Sequence, residues 1–463
     1  MLIDGGPITL AQFQAAVDAT TQLTVAPQVT QTLQTARAHI DAAVGGDAPI
    51  YGLNTGLGAN LDHRLSTDEI TAFQRQILNG RASAVGPNLP EKTGRAVLLY
   101  RILSAAKGHS GISPDLFTHL ITCFNAGLSP AIPQYGSIGA GDLTQLAPWA
   151  LQICDAPNAP PLQAKDAMAL INHTGLTVAL AANALTAAQT TLRMAHHALL
   201  LTYIGYDANR DVLSAAANAL RPANGQTTCA AWLRDHLSGT QNTPRRIQEA
   251  LSIRTAHTTL GAAQHALDQA IATLETELNA TSDSPALLPD GTLTSTANFH
   301  TPALALALDT TILALTRVAN DSLQRIQRLM NPDLTALPKY LSPTGGASAG
   351  FVPAQKTAAA LLADIQNQSH PTHPPAPVSD SVEDVAPMTP QSATKLHALT
   401  APLKLLLGLE ARTALQAIHL RNPILGPNAA PIVATLSNEL PLLTTDRPLG
   451  PEIEKAARLL ERL

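Results

Sequence analysis

Residues 174–203 read TGLTVALAANALTAAQTTLRMAHHALLLTY, and no side of a helix built from them is strongly polar. Such a helix must be buried on most faces. A second apolar run spans 302–330 and a third spans about 353–366. All three are longer than an average globular helix. Aromatic residues make up only 3% of the chain, and Ala and Leu, which lose little freedom in a helix, dominate it. Several long apolar helices in one chain predict a mainly α fold built on a long-helix bundle.

The flanking segments complete that outline. PITLAQFQAAVDA, near the start, reads as an amphipathic helix capped by Thr9. Glycines at 45, 46, 52, 56 and 58 then forbid a long helix. Helical periodicity returns at 67–80 and 91–107, and a loop is expected at 155–165. The segment NQSHPTHPPAPVSDS, 367–381, holds four prolines and cannot be helical throughout. Residues 389–463 read as helices broken by Pro423, Pro427 and Pro431. The expected organisation is a loop-rich N-terminal lobe, 1–170, and a second part, 171–463, of long helices and C-terminal helices.

Net charge is −5 with no block of like charge, so no nucleic-acid or anionic-membrane partner is expected. No stretch of about 18 apolar residues stands out, and no membrane span is expected. Cys123, Cys154 and Cys229 are widely spread, form no metal spacing, and fit free thiols in a reducing cytoplasm. His370 and His373 sit three apart but between prolines, without an obvious third ligand, and no metal is expected.

Chemistry concentrates in a few stretches. YGLNTGLG, 51–58, places Tyr51 on a glycine-laced loop that can approach a ligand. Tyr51 reads either as a general base or as a packed aromatic. IQEALSIR, 247–254, offers Gln248 and Arg254, the latter a carboxylate fork or a surface arginine. VEDVAPM, 382–388, carries Glu383, either functional or solvated. GSIGAGDL, 136–143, packs one serine, two further glycines and a carboxylate into a turn that matches neither a nucleophile elbow nor a phosphate loop.

Taken in order, YGLNTGLG, AKGHSGI, PAIPQYGSIGAGDL, ALINHT, IQEALSIR, STANFH and VEDVAPM resemble the histidine and phenylalanine ammonia-lyase superfamily over at least residues 50–390. The resemblance implies a mostly helical homotetramer with active sites shared between subunits. It also implies a small amino-acid-type substrate. In that family an Ala-Ser-Gly triplet within Gly-Ser-x-Gly-Ala-Ser-Gly-Asp-Leu cyclises to an electrophilic methylidene-imidazolone. Here Ala140 is followed directly by Gly141, and Ser137 precedes Ile138. The prosthetic group is therefore expected to be absent. Leu251 replaces the family's second catalytic tyrosine, Arg81 occupies its side-chain selector position, and His173 follows Asn172 where a glycine is usual.

By the same resemblance, Tyr51 is the catalytic base. Arg254 and Asn172 hold the substrate's carboxylate and the groups near its α-nitrogen. Glu383 meets a ring, Gln248 stands beside the clamp, and His173 or Arg81 meets the ring's far side. Gly139, Ala140 and Gly141 shape a leaving-group pocket. A permanently cationic trimethylammonium group leaves without an electrophile. The sequence resembles the ergothionase-like branch, and the expected reaction is loss of trimethylamine from a histidine-type betaine of the hercynine or ergothioneine class, giving a urocanate-like acrylate. The alternatives are a lyase for another betaine or unusual amino acid, a conventional ammonia-lyase, and a non-catalytic binding homologue.

Overall fold

The computed structural model describes residues 1–18, 20–44, 46, 53, 67–373, 377–379 and 382–463. Helices dominate. Those that bear on the site are α1 (Thr67–Arg81), α2 (Leu143–Cys154), α3 (Asp166–Ile171), α4 (Gly175–Tyr206), α5 (Leu251–Arg254), α6 (Ala256–Leu278), α7 (Pro302–Leu329), α8 (Thr389–Arg421) and α9 (Ala429–Ser437). Strands among the described residues are short and paired in twos. Val85–Asn88 runs antiparallel to Pro133–Tyr135, and Ala286–Leu287 antiparallel to Leu293–Thr294.

Local chemistry accounts for the helix ends. Thr9 caps the helix Leu10–Ala16, and Gln12 returns a bond to the Thr9 amide, forming a capping box. Ser113 caps Pro114–Asn125 by accepting the Leu116 amide at its hydroxyl, with proline at the first position. The all-round apolar character of 174–203 is matched by α4, whose Leu, Ala and Val side chains are almost all buried. Each buried leucine contributes roughly 1.5–3 kcal/mol relative to exposure.

Three expectations are corrected. Pro431 does not break a helix: it lies in the first turn of α9 (Ala429–Ser437), where a missing amide proton costs nothing. The run 302–330 is not buried all round. Within α7, Ala303, Leu306, Thr310 and Leu313 lie exposed along one stripe. Two helical stretches, 166–206 and 302–329, are long and apolar enough to cross a membrane by length and composition, and the first is packed inside the chain.

The chain forms two compact units. The first comprises 1–183, 271–308 and 372–394, and so reaches past the expected 1–170 lobe to include two later segments. The second comprises 184–270, 309–371 and 395–463. The first unit is cemented by buried polar side chains. Arg95 donates to the carbonyls of Val17, Asp18, Thr21 and Phe124, and Arg101 pairs with Asp283 at 3.1 Å. In the second unit Arg325 meets Glu410 through Nε at 2.6 Å and Nη2 at 2.9 Å, both side chains being fully buried.

Candidate active site

The turn Gly136–Asp142 is the centre of the first unit's candidate site. The paired strands Val85–Asn88 and Pro133–Tyr135 lead the chain into it, and α2 leads out. Gly139 and Gly141 take φ of +80° and +89°, a region that glycine enters freely. Asp142 also has positive φ, at 49°, and is fully buried. Its Oδ1 accepts from Ser137 Oγ at 2.5 Å and from Thr177 Oγ1 at 3.0 Å, and its Oδ2 accepts from the Thr177 amide at 2.8 Å. Burial pushes the Asp142 carboxyl upward, while the bonds from Ser137 and Thr177 pull it back.

Ser137 is the only hydroxyl in the turn, and its Oγ also accepts the Gly139 amide at 2.9 Å. Its own amide donates to Gln145 Oε1, and its carbonyl accepts from Gln391 Nε2 at 2.8 Å. The Met388 amide bonds the Ile138 carbonyl at 3.1 Å. The turn is thus stitched to both α2 and the segment leading into α8. This residue set does not supply the three contiguous residues from which a methylidene-imidazolone is made, because nothing stands between Ala140 and Gly141.

Asn172 joins the turn. It ends α3 and donates from Nδ2 to the Ser284 carbonyl at 2.6 Å. Its Oδ1 faces Gly141 so closely that a Cβ there would lie 2.5 Å away. The structure therefore brings together Gly139, Ala140, Gly141 and Asn172. Glu383 lies in the segment preceding α8, where its Oε2 accepts from Ser379 Oγ at 2.7 Å. Arg81 ends α1 and is half-buried, with no ion-pair partner among the described residues. Three residues on, Ala84 packs against Gly136.

His173 is placed differently from expectation. It is fully buried, with Nδ1 accepting the Gly175 amide at 3.0 Å and Nε2 donating to the Leu170 carbonyl at 3.0 Å. Its ring lies between Tyr100 and Trp149, and burial holds its pKa well below the usual value. Both nitrogens are engaged within the chain, so the ring joins α3 to α4 and offers nothing to a ligand.

Arg254 and Gln248 belong to the second unit and meet there: Arg254 Nη1 donates to Gln248 Oε1 at 2.7 Å. Leu251, on the same short helix, is 67% exposed. The helix is anchored from below, since Arg325 Nη1 bonds the Ser252 carbonyl and Tyr203 bonds the Ile253 carbonyl. Tyr51 lies outside the described residues. Sequence reasoning missed Ser137, Asp142 and Thr177 as anchors of the turn. The signal available was a carboxylate placed directly after a glycine pair. Among the described residues, no three His, Cys, Asp or Glu side chains gather as a metal set.

The first unit thus holds a glycine turn on a buried carboxylate, and the second holds a half-buried arginine on a fixed short helix. The aromatic amino acid lyase family model matches residues 8–160 and 155–438, and the chain belongs to that family. It is 32% identical, over a 484-residue alignment covering 98% of this chain and 96% of the relative, to a histidine ammonia-lyase of Symbiobacterium thermophilum. Its structure is similar to that of the ergothioneine-degrading enzyme ergothionase from Treponema denticola, with a TM-score of 0.94 and 26% identity over 100% of this chain and 98% of that one. It is also similar to histidine ammonia-lyase from Trypanosoma cruzi, with a TM-score of 0.89 and 28% identity over 100% and 93% of the two chains.

Proposed function

We propose that this lyase works without a methylidene-imidazolone and eliminates trimethylamine from a histidine-type betaine. The direct Ala140–Gly141 bond carries this reading. Without the intervening serine the chain lacks the atoms for the exocyclic methylene. The site must then act on a leaving group that needs no electrophile. A trimethylammonium group has no proton to lose and departs as a neutral amine. The likeness to a solved ergothionase supports the same direction.

In this proposal Tyr51 takes the β-proton, a double bond forms between Cα and Cβ, and the Cα–N electron pair leaves with trimethylamine. Arg254, pre-aligned by Gln248, pairs the carboxylate and stabilises charge that develops toward it. Asn172 and the 139–141 turn shape the leaving-group pocket. Glu383 hydrogen-bonds the imidazole, and Arg81 meets its substituent. The assembly is a homotetramer with shared sites, acting in the cytoplasm.

The test is release of trimethylamine, with appearance of an ultraviolet-absorbing acrylate, from purified protein given hercynine and ergothioneine. Turnover of either, abolished by Tyr51→Phe, supports the reading. Inertness toward both, together with deamination of histidine, overturns it. The conventional ammonia-lyase reading has its own observation, the 32% identity to a histidine ammonia-lyase. It requires an intact mass two waters below that of the unmodified chain.

A further inference from the structure

The second unit holds a cavity that the proposed reaction does not use. It lies where α8 ends. The Asn422 amide bonds the Ile418 carbonyl at 2.8 Å, Asn422 adopts φ of +49°, and Pro423 turns the chain away. The cavity measures about 500 Å³, within the range of small-molecule pockets. Its walls are mainly Ile418, Pro423, Leu425, Val433, Pro441 and Leu442. The polar side chains of His419, Asn422 and Ser437 complete them.

His419 Nε2 and Ser437 Oγ are 2.9 Å apart. His419 Nδ1 is buried without a partner. A proton on Nδ1 would leave a buried donor unsatisfied, which costs more than an unfilled lone pair. Burial and the nearby Arg412 also disfavour the charged ring. The proton therefore sits on Nε2 and is donated to Ser437. Ser437 Oγ has no other partner among the described residues, so its own proton is free to be donated into the cavity. With no carboxylate on Nδ1 and a proton on Nε2, the pair is not a nucleophile and base. It is a polarised hydroxyl donor at an apolar wall.

Charge behind the Pro441 wall favours an anionic acceptor. The Pro441 carbonyl is held by Arg412 Nη2 at 3.1 Å and Arg447 Nη2 at 2.8 Å. Both guanidiniums share a single carboxylate, Glu452, and that group of three side chains carries one net positive charge. We infer that this cavity binds a small apolar carboxylic acid, its chain against Val433, Leu425 and Leu442 and its carboxylate on Ser437.

Octanoate is a suitable probe, titrated into the full-length protein by calorimetry and followed by saturation-transfer NMR. One site per chain is expected, with 1-octanol binding at least tenfold more weakly. Ser437→Ala is expected to weaken octanoate at least tenfold, the size of a hydrogen bond to a charged group. Val433→Trp, which fills the cavity, is expected to abolish binding, with folding checked by circular dichroism. If Val433→Trp does not fold, Ser437→Ala decides alone. Absence of octanoate binding in the millimolar range, or affinity unchanged in the folded variants, overturns the inference. So does Ser437-dependent hydrolysis of 4-nitrophenyl octanoate, which would make the serine a nucleophile.

Discussion

At the scale of single residues, the turn depends on one hydroxyl. Ser137 gives its proton to Asp142 and receives that of the Gly139 amide. Ser137→Ala leaves a fully buried carboxyl short of a donor and frees a backbone amide. The expected cost is about 1–3 kcal/mol in chemical denaturation, with activity reduced and Ser137→Thr partly restoring both. Asp166 reports on pH. It is buried and takes bonds from Ser113 and Gln163, yet desolvation outweighs them and raises its pKa from 3.8 to about 6. Its protonated form is therefore favoured by folding, so its contribution to stability is complete below pH 3.8 and is lost as pH rises through 6. Asp166→Asn is expected to flatten the stability profile across that window, read from urea unfolding at several pH values. None of this residue-level wiring was legible beforehand. His173 looked like a ligand group because its neighbours are motif residues. Only the closeness of Leu170 and Gly175 reveals that both nitrogens are satisfied.

At the scale of elements, composition was the better guide. Leu and Ala runs located α4 and α7, and the Thr9 cap was readable from spacing, because helix formation is dictated locally. Burial was not. The exposed stripe on α7 and the turn-forming tolerance of Pro431 depend on position relative to neighbours, which periodicity does not encode. The short helix α5 shows the same limit: its motif was visible, but its support was not. That support is the Arg325–Glu410 pair, to which Thr202 adds a bond at 2.8 Å. Breaking a buried pair from one side costs about 3–5 kcal/mol, and Glu410→Gln is expected to lower stability by that order in thermal or urea unfolding. Because Arg325 also bonds Ser252, the same substitution is expected to loosen Arg254 and raise KM more than it lowers kcat.

At the scale of the whole molecule, the proposal of a homotetramer makes the exposed α7 stripe a subunit contact. Leu306 is 69% and Leu313 48% exposed, large values for leucines on a helix this long. Leu313→Asp is expected to reduce the mass measured by light scattering to that of a smaller assembly and to abolish turnover with it. An unchanged mass would place the contact elsewhere.

The approach of Asn172 Oδ1 to Gly141 also limits what position 141 can carry. A Cβ there would lie 2.5 Å from that amide oxygen, on a backbone twist that side chains avoid. To make room, the Asn172 side chain would have to swing away and give up its bond to the Ser284 carbonyl. The identity of one residue is in this way tied to the orientation of another.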